Sequence, residues 1–385
     1  MSNKALMKLS DLADVISGFA FDSKWFGKGI KKVIRISDLV GGSINLVNAT
    51  TFDHVANPIS EQFIAKSRDV LIALSGATTG KIGVVTDKEE GAYVNQRVAI
   101  VRGKSQEAKD WLPYLLMSDV TKQLVLTAGG AAQSNLSIND LKDLRIPDLL
   151  ATQQSKIANN LKTQLAEVET ARQALEIQQQ EIIKLANAYI RESIEHSDVS
   201  ECLLGDVLDE VKKGIGEHWA DYPVLGATRD GLAPAKEPPG KQPQRYKPVF
   251  SGTVFYNPMR ILIGSIAFVD DDDQPGITSP DYVALQGKPG IVDSRWFYYW
   301  LRSPFGVQCI NSLARGAVRE RMLFNRLAEG FIQLPPYSEQ VRISAALKQL
   351  QPVKAAIKQQ LDDLNKIPER LLAKAFDFNH ERRSS

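Results

Sequence analysis

The chain is poor in the residues that usually carry chemistry. Its 385 residues hold two cysteines and four histidines. Cys202 and Cys309 form no C-x-x-C pattern, so the expected state is reduced thiols in a cytoplasmic protein. His54, His196, His218 and His380 have no partner at ligand spacing, and each reads as a solvated surface histidine. No G-x-S-x-G is present. Long apolar runs are also missing: "ILIGSIAFV" (261–269) falls far short of the roughly 20 residues a membrane helix needs, and the N-terminus lacks a secretory apolar core. Charge of one sign is missing too. The net charge is +2. Lys+Arg against Asp+Glu is 18 to 16 over residues 1–150, 5 to 7 over 151–198, 15 to 16 over 199–335 and 9 to 6 over 336–385. Any contact with a polyanion must therefore use local patches.

What the chain does have is an internal repeat. "VLIALSGATTGKIGVVTDKEE" (70–90) aligns without gaps to "VFYNPMRILIGSIAFVDDDDQ" (254–274). One inserted residue later, "RVAIV" (97–101) meets "YVALQ" (282–286). "WLPYLLMS" (111–118) then meets "WFYYWLRS" (296–303), and "LRIPDLLATQQSKIANNL" (144–161) meets "IQLPPYSEQVRISAAL" (332–347). Both copies open alike, "LSDLADVISG" near residue 9 and "LGDVLDEVKKG" near 204. A period this long is a duplicated domain and not a solenoid.

Each copy predicts two parts. The first mixes short β-branched strands, such as "KKVIRI" and "RVAIV", with glycine and polar turns, then a helix from Trp111 or Trp296. The second is a long helix with heptads. Leu161, Val168, Leu175, Ile182 and Tyr189 recur every seven residues in one; Leu350, Ile357, Leu364, Leu371 and Phe378 recur in the other. A second row is weaker, diluted by Arg172, Gln179 and Ser193. The expected fold class is α+β: two mixed α/β domains separated by an antiparallel two-helix coiled coil, with pseudo-two-fold internal symmetry. The expected boundaries are 1–150, 151–198, 199–335 and 336–385. Pro352 is expected to open the second helix, and Pro368 to kink its seam.

Three motifs suggest chemistry and fail. Gly76, Gly80 and Lys81 approximate a P-loop, but with three residues between the glycines, Ile82 where Ser or Thr would hold magnesium, and a strand where a helix should follow. The second copy has Arg260 for Gly76 and Ser265 for Lys81. "YNPM" (256–259) lacks the second proline and aromatic of a methyltransferase loop, and "VDDDDQPG" (269–276) reads as a solvated turn.

Two similar scaffolds that differ in their polar turns suit two binding modules of different specificity. Candidate DNA contacts in the first copy are Thr78, Thr79, Lys81, Asn95, Gln96 and Arg97, with Gln133, Ser134 and Asn135 in a glycine-rich loop. In the second they are Arg260, Arg315, Arg319 and Arg321.

On the strength of "LSGATTGKIGVV", "NQRVAIV", "GGAAQSNLSINDLKDLRIPDLLATQQSKI" and "LPPYSEQVRI" before a heptad helix, the chain resembles the DNA-specificity subunit of type I restriction-modification enzymes. The proline followed by Gln-x-x-Ile at each helix entrance (Gln154 to Ile157, Gln340 to Ile343) is the most specific marker. The resemblance implies two target-recognition domains, two helical spacers and no catalysis in this chain. It implies double-stranded DNA as ligand and two modification subunits that bring S-adenosylmethionine and methylate adenine. Two restriction subunits, which use ATP and Mg, can then join. Each recognition domain would read half of a split site, with the helices as ruler and docking surface. About 30–35 helical residues would span about 45–50 Å, more than one DNA turn of about 34–36 Å, so an unspecified gap is expected. The other expectation is a non-catalytic interaction scaffold with duplicated domains and no direct DNA reading, which the near-neutral charge favours.

Overall fold

A computed structural model describes residues 5–128, 135–314 and 321–376. The first domain is built on a four-stranded antiparallel sheet of β1 (Ala13–Ser17), β2 (Val70–Ala73), β3 (Ile82–Val84) and β4 (Val98–Gly103), in the order β1-β4-β2-β3. The second repeats it with β5 (Leu208–Glu210), β6 (Thr253–Tyr256), β7 (Ile266–Val269) and β8 (Val283–Gly287), in the order β5-β8-β6-β7. Residues of β2 are buried on both faces, so its apolar run is continuous rather than alternating. Val70 and Ile72 join the core formed with α1 (Gln106–Met117), whereas Leu71 and Ala73 face a second core with Ile34, Leu39 and Ile44. In the second domain Val254 and Tyr256 face α4 (Ser294–Arg302), and Phe255 faces Leu225 and Val249.

The two copies agree in register. Val70 opposite Val84 becomes Val254 opposite Phe268, and Val101 opposite Val70 becomes Leu285 opposite Val254. The residue expected to be inserted before the fourth strand is therefore not there: Val101 matches Leu285, not Gln286. Apolar residues follow one another in both strands, so a one-residue slip keeps the hydropathy match while reversing every side chain. The insertion falls after the strand instead. Gly103 and Gly287 end equivalent strands, and a Cβ on either would come within 2.6 Å of Lys109 N or 2.2 Å of the Val292 carbonyl oxygen. Both strands need glycine because the next helix crosses so closely.

The matched anchors lie at the helices. Trp111 and Trp296 are fully buried. Ser118 and Ser303, at the ends of these helices, are buried and donate their hydroxyls to the carbonyls of Leu115 and Trp300, at 2.5 and 2.7 Å. Gln154 and Gln340, from the Gln-x-x-Ile signal, are buried, and each donates from Nε2 to a backbone carbonyl five residues earlier, Leu149 and Pro335, both at 2.9 Å. A buried amide must be paired, so this signal marks the locked entry of each long helix.

The helices continue the α+β plan. After α2 (Asp119–Ala128) comes α3 (Ala151–Glu195), 45 residues long, beyond the expected 30–35. In the second domain α5 (Pro304–Leu313) follows α4, and α6 (Tyr337–Leu364) and α7 (Ile367–Phe376) follow it. The chain forms two compact units, residues 1–173 with 361–385 and residues 174–360, so α3 and α6 each contribute to both. In the first unit Ala158 and Leu161 share a core with Trp111, Leu372 and Phe376. In the second, Ala186, Ile190 and Ile194 share a core with Ile343 and Leu347, and Arg342 pairs with Glu192 at 2.9 Å. Here α3 and α6 run antiparallel.

Neither proline behaves as expected. Pro352 lies inside α6, which starts at Tyr337. Burial of Gln340, Ile343, Ser344 and Leu347 holds the preceding turns helical despite a proline cost of about 3 kcal/mol. Pro368 does not kink a continuous seam. It sits in the first turn of the separate helix α7, where its missing N–H costs nothing. Of the heptad residues, Leu161 and Ile357 are buried; Val168, Leu175, Ile182, Tyr189, Leu350, Leu364 and Leu371 are half-buried; Phe378 lies outside the described residues. No described helix is long and apolar enough to cross a membrane.

Candidate nucleic-acid interface

The turn after β2 is a hairpin loop whose backbone donors are already used. Thr79 N donates to the Gly76 carbonyl (3.1 Å), Gly80 N to Ala73 (2.9 Å) and Lys81 N to Thr78 (2.9 Å). A phosphate cradle needs those N–H groups free, so the structure removes the P-loop reading on its own terms. Gly76 and Gly80 both have a φ of +80°, and a Cβ on Gly80 would lie 2.5 Å from Val125 Cγ2. The glycines shape the turn and let α2 pack beneath it.

Three segments named from the sequence meet at this end of the sheet. Leu74 N donates to the Arg97 carbonyl, and Leu74 O accepts from Leu136 N, both at 2.9 Å. The hairpin loop, the Asn95–Arg97 turn and Asn135 are thereby neighbours. Asn95 closes its own turn, Oδ1 accepting from Arg97 N at 3.3 Å. Lys81, Gln96, Arg97 and Asn135 are exposed. Among the described residues Lys81 and Arg97 form no ion pair. Thr79 donates its hydroxyl to the Gly76 carbonyl at 2.8 Å, and Thr78 Oγ1 is buried without a partner, so these two shape the loop rather than offer donors outward.

The second domain rebuilds the junction. Met322 N donates to the Pro258 carbonyl at 3.1 Å, the counterpart of Leu136 to Leu74. Tyr282 N donates to Ser279 as Val98 N does to Asn95, at 3.0 and 2.9 Å, and Ser279 Oγ accepts from Asp281 N as Asn95 Oδ1 does from Arg97 N. The segment Ser279–Pro280–Asp281 is thus the counterpart of Asn95–Gln96–Arg97, which the sequence reading missed because no side chain is shared. Arg260 is exposed on the loop, and Arg321 pairs with Asp281 at 3.3 Å, both well exposed, a contact worth little. The loop is buttressed from below: Arg302 Nη1 donates to the carbonyls of Gly264 (3.2 Å) and Ile266 (2.9 Å), and Arg229 Nε to Ile263 (3.0 Å). Met259, Leu262 and Ile263 are half exposed on it. Gln133, Ser134, Arg315 and Arg319 lie outside the described residues.

A feature not read from the sequence supports the first junction. Phe19 N donates to Val94 O and Phe19 O accepts from Gln96 N, both at 2.8 Å. Its ring stacks on Trp25 at 6.2 Å and meets Phe21 and Phe63 edge-on. The aromatics of "SGFAFDSKWFGKG" were the available signal.

The acidic run of the second domain is a turn. Arg295 bonds Asp270 and Asp271, and Lys348 bonds Asp271 and Asp272. Burial pushes the Asp270 carboxyl up, but the Arg295 guanidinium outweighs it and holds the group below the usual carboxylate range. No cluster suited to a metal occurs among the described residues.

Comparison with known proteins fits this geometry. The family model for the type I restriction modification DNA specificity domain matches residues 1–179. The chain is 22% identical to the type I restriction enzyme EcoBI specificity subunit of Escherichia coli, covering 96% of this chain and 85% of that protein. Among solved structures, a chain from a study of complex assembly and conformational transition of the type I R-M system aligns with a TM-score of 0.63 at 18% identity, over 97% of this chain and 98% of that one. The HsdS subunit from Thermoanaerobacter tengcongensis aligns at 0.50 and 18%, over 98% of both. These likenesses show the fold.

Proposed function

We propose that this chain, which belongs to the DNA-specificity family of type I restriction-modification systems, reads a split DNA site with one recognition domain per half. The observation that carries the reading is the pair of matched junctions. Leu136 to Leu74 and Met322 to Pro258 are the same backbone bond in two copies, while the exposed residues around them differ: Lys81, Gln96 and Arg97 in one, Arg260, Met259 and Ile263 in the other. A fixed frame with variable exposed donors is what reading two unlike sequences requires.

The chain itself is non-catalytic. Two modification subunits dock on it and bring S-adenosylmethionine; two restriction subunits, with ATP and Mg, complete the complex in the cytoplasm. Ile177, Ile183 and Leu185 on α3 are 62%, 47% and 42% exposed, and an apolar helix face of this kind suits a permanent protein partner. The interaction-scaffold reading explains that face but gives no reason for the matched junctions.

Arg97 is exposed and unpaired at the first junction. Arg97→Ala in the complex with the modification subunits weakens binding to one half-site by about 1–3 kcal/mol and leaves discrimination at the other unchanged. Competition with duplexes mutated in either half measures this. Equal loss at both halves, or none, overturns the assignment of Arg97.

A further inference from the structure

The strand Phe26–Ile34 of the first domain carries a protrusion that the sequence reading passed over. Phe26 and Lys31 both lie opposite Phe52, so residues 27–30 are extruded from the ladder. Two glycines fix the extrusion. Gly27 and Gly29 have φ of +77° and +67°, and a Cβ on Gly29 would lie 2.5 Å from Asp53 Cα and the Phe52 carbonyl oxygen. Ile30, within the bulge, is 82% exposed.

The strand is also strongly basic. Residues 24–35 hold Lys24, Lys28, Lys31, Lys32 and Arg35, with no Asp or Glu. The nearest carboxylate, Asp22, is occupied with Lys24 N at 2.9 Å. Lys32 donates to the Leu46 carbonyl at 3.2 Å. Among the described residues the ammonium groups of Lys24, Lys28 and Lys31 have no partner. Most other lysines near these sheets are compensated: Lys212 and Lys247, for example, lie 3.7 and 3.8 Å from Glu210 in the second domain. A protein of net charge +2 gains little by holding such a set together for solubility.

The basic strand is joined to the candidate interface. Trp25 stacks on Phe19, whose carbonyl holds Gln96 N, and the Ile34 carbonyl accepts from Asn95 N at 3.0 Å. The lysines therefore extend from the Asn95–Arg97 turn. Flexible ammonium groups on a bulge suit phosphate, a point-charge ligand, better than base edges, which need planar bidentate donors.

We propose that this bulge, with Lys24, Lys28 and Lys31, is a phosphate-gripping arm of the first recognition domain that adds affinity without choosing sequence. The proposal rests on the DNA-reading function and extends it beyond the residues that discriminate bases.

The test uses the complex with its modification subunits and two duplexes, one carrying the motif mapped for this system and one of equal composition without it. Binding is measured by anisotropy across a salt series for the parent and for the Lys24→Ala, Lys28→Ala, Lys31→Ala triple variant. The expected result is a roughly tenfold or larger weakening on both duplexes and a plot of log K against log salt shallower by about two to three. An unchanged slope, or a loss confined to the motif duplex, overturns the arm. If the parent complex shows no preference for the motif duplex, the DNA-reading function fails first, and the two failures are thereby distinguished.

Discussion

Matched insertions of about one helical turn, after Gln179 in α3 and after Ile357 in α6, lengthen the unspecified gap in the methylated motif by about one to two base pairs. Both half-site sequences stay as they are. Gln179 and Ile357 line one cavity of the second unit, so insertions at both positions remain level and keep the antiparallel pairing in step. An insertion in one helix alone would be expelled as a bulge. Four residues add about 6 Å of helix, against about 3.4 Å per base pair of DNA. Gln179 sits in a second heptad row that carries little apolar burial, so the cost in packing is small. Mapping methylated adenines in cells expressing the variant reads the gap directly. Methylation at the original spacing would show that the helices do not set the distance.

Arg102→Gln destabilises the first unit by about 3–5 kcal/mol, and adding Asp69→Thr restores most of it. Asp69 is 2% exposed and bonds Arg102 through both oxygens, the shortest contact being 2.6 Å. Arg102 also donates to the Ile64 carbonyl at 2.8 Å. Removing the guanidinium alone strands a buried carboxylate. The second domain holds the alternative at the same two positions, where Gln286 Nε2 donates to Thr253 Oγ1 at 3.1 Å. The double variant copies that neutral pair onto the same pair of strands, and a buried ion pair replaced whole is often close to neutral. Denaturant melts of the parent, both single variants and the double variant give the coupling. A double variant as unstable as the two single losses added together would mean the neutral pair depends on neighbours that only the second domain provides.

How much of this was legible follows from what each feature depends on. The repeat was, because Trp111 and Trp296, Ser118 and Ser303, and Gln154 and Gln340 are buried side chains whose chemistry each copy needs. The register of the fourth strand was not, since a run of apolar residues matches equally well after a one-residue slip. The extent of α6 was hidden by Pro352, where burial on the preceding turns outweighs a local preference. The break before α7 turned Pro368 from a kink into an ordinary first-turn proline. In the candidate site, Lys81, Asn95–Arg97 and Asn135 were named one by one from residue type, and backbone bonds to Leu74 bring them together. The Ser279–Asp281 counterpart was not visible, because its equivalence lies in the backbone alone. Nor was the basic strand: its five cations are averaged away in a segment of 18 against 16, and only the bulge opposite Phe52 and the Phe19–Trp25 stack place them beside the junction.

The most direct measurement of the half-site reading is a methylome of the host with and without this chain, its modification subunits present in both. The reading predicts an asymmetric, bipartite adenine-methylation motif with an unspecified gap, lost when the chain is absent. A continuous palindromic motif, or one that persists without the chain, would contradict it.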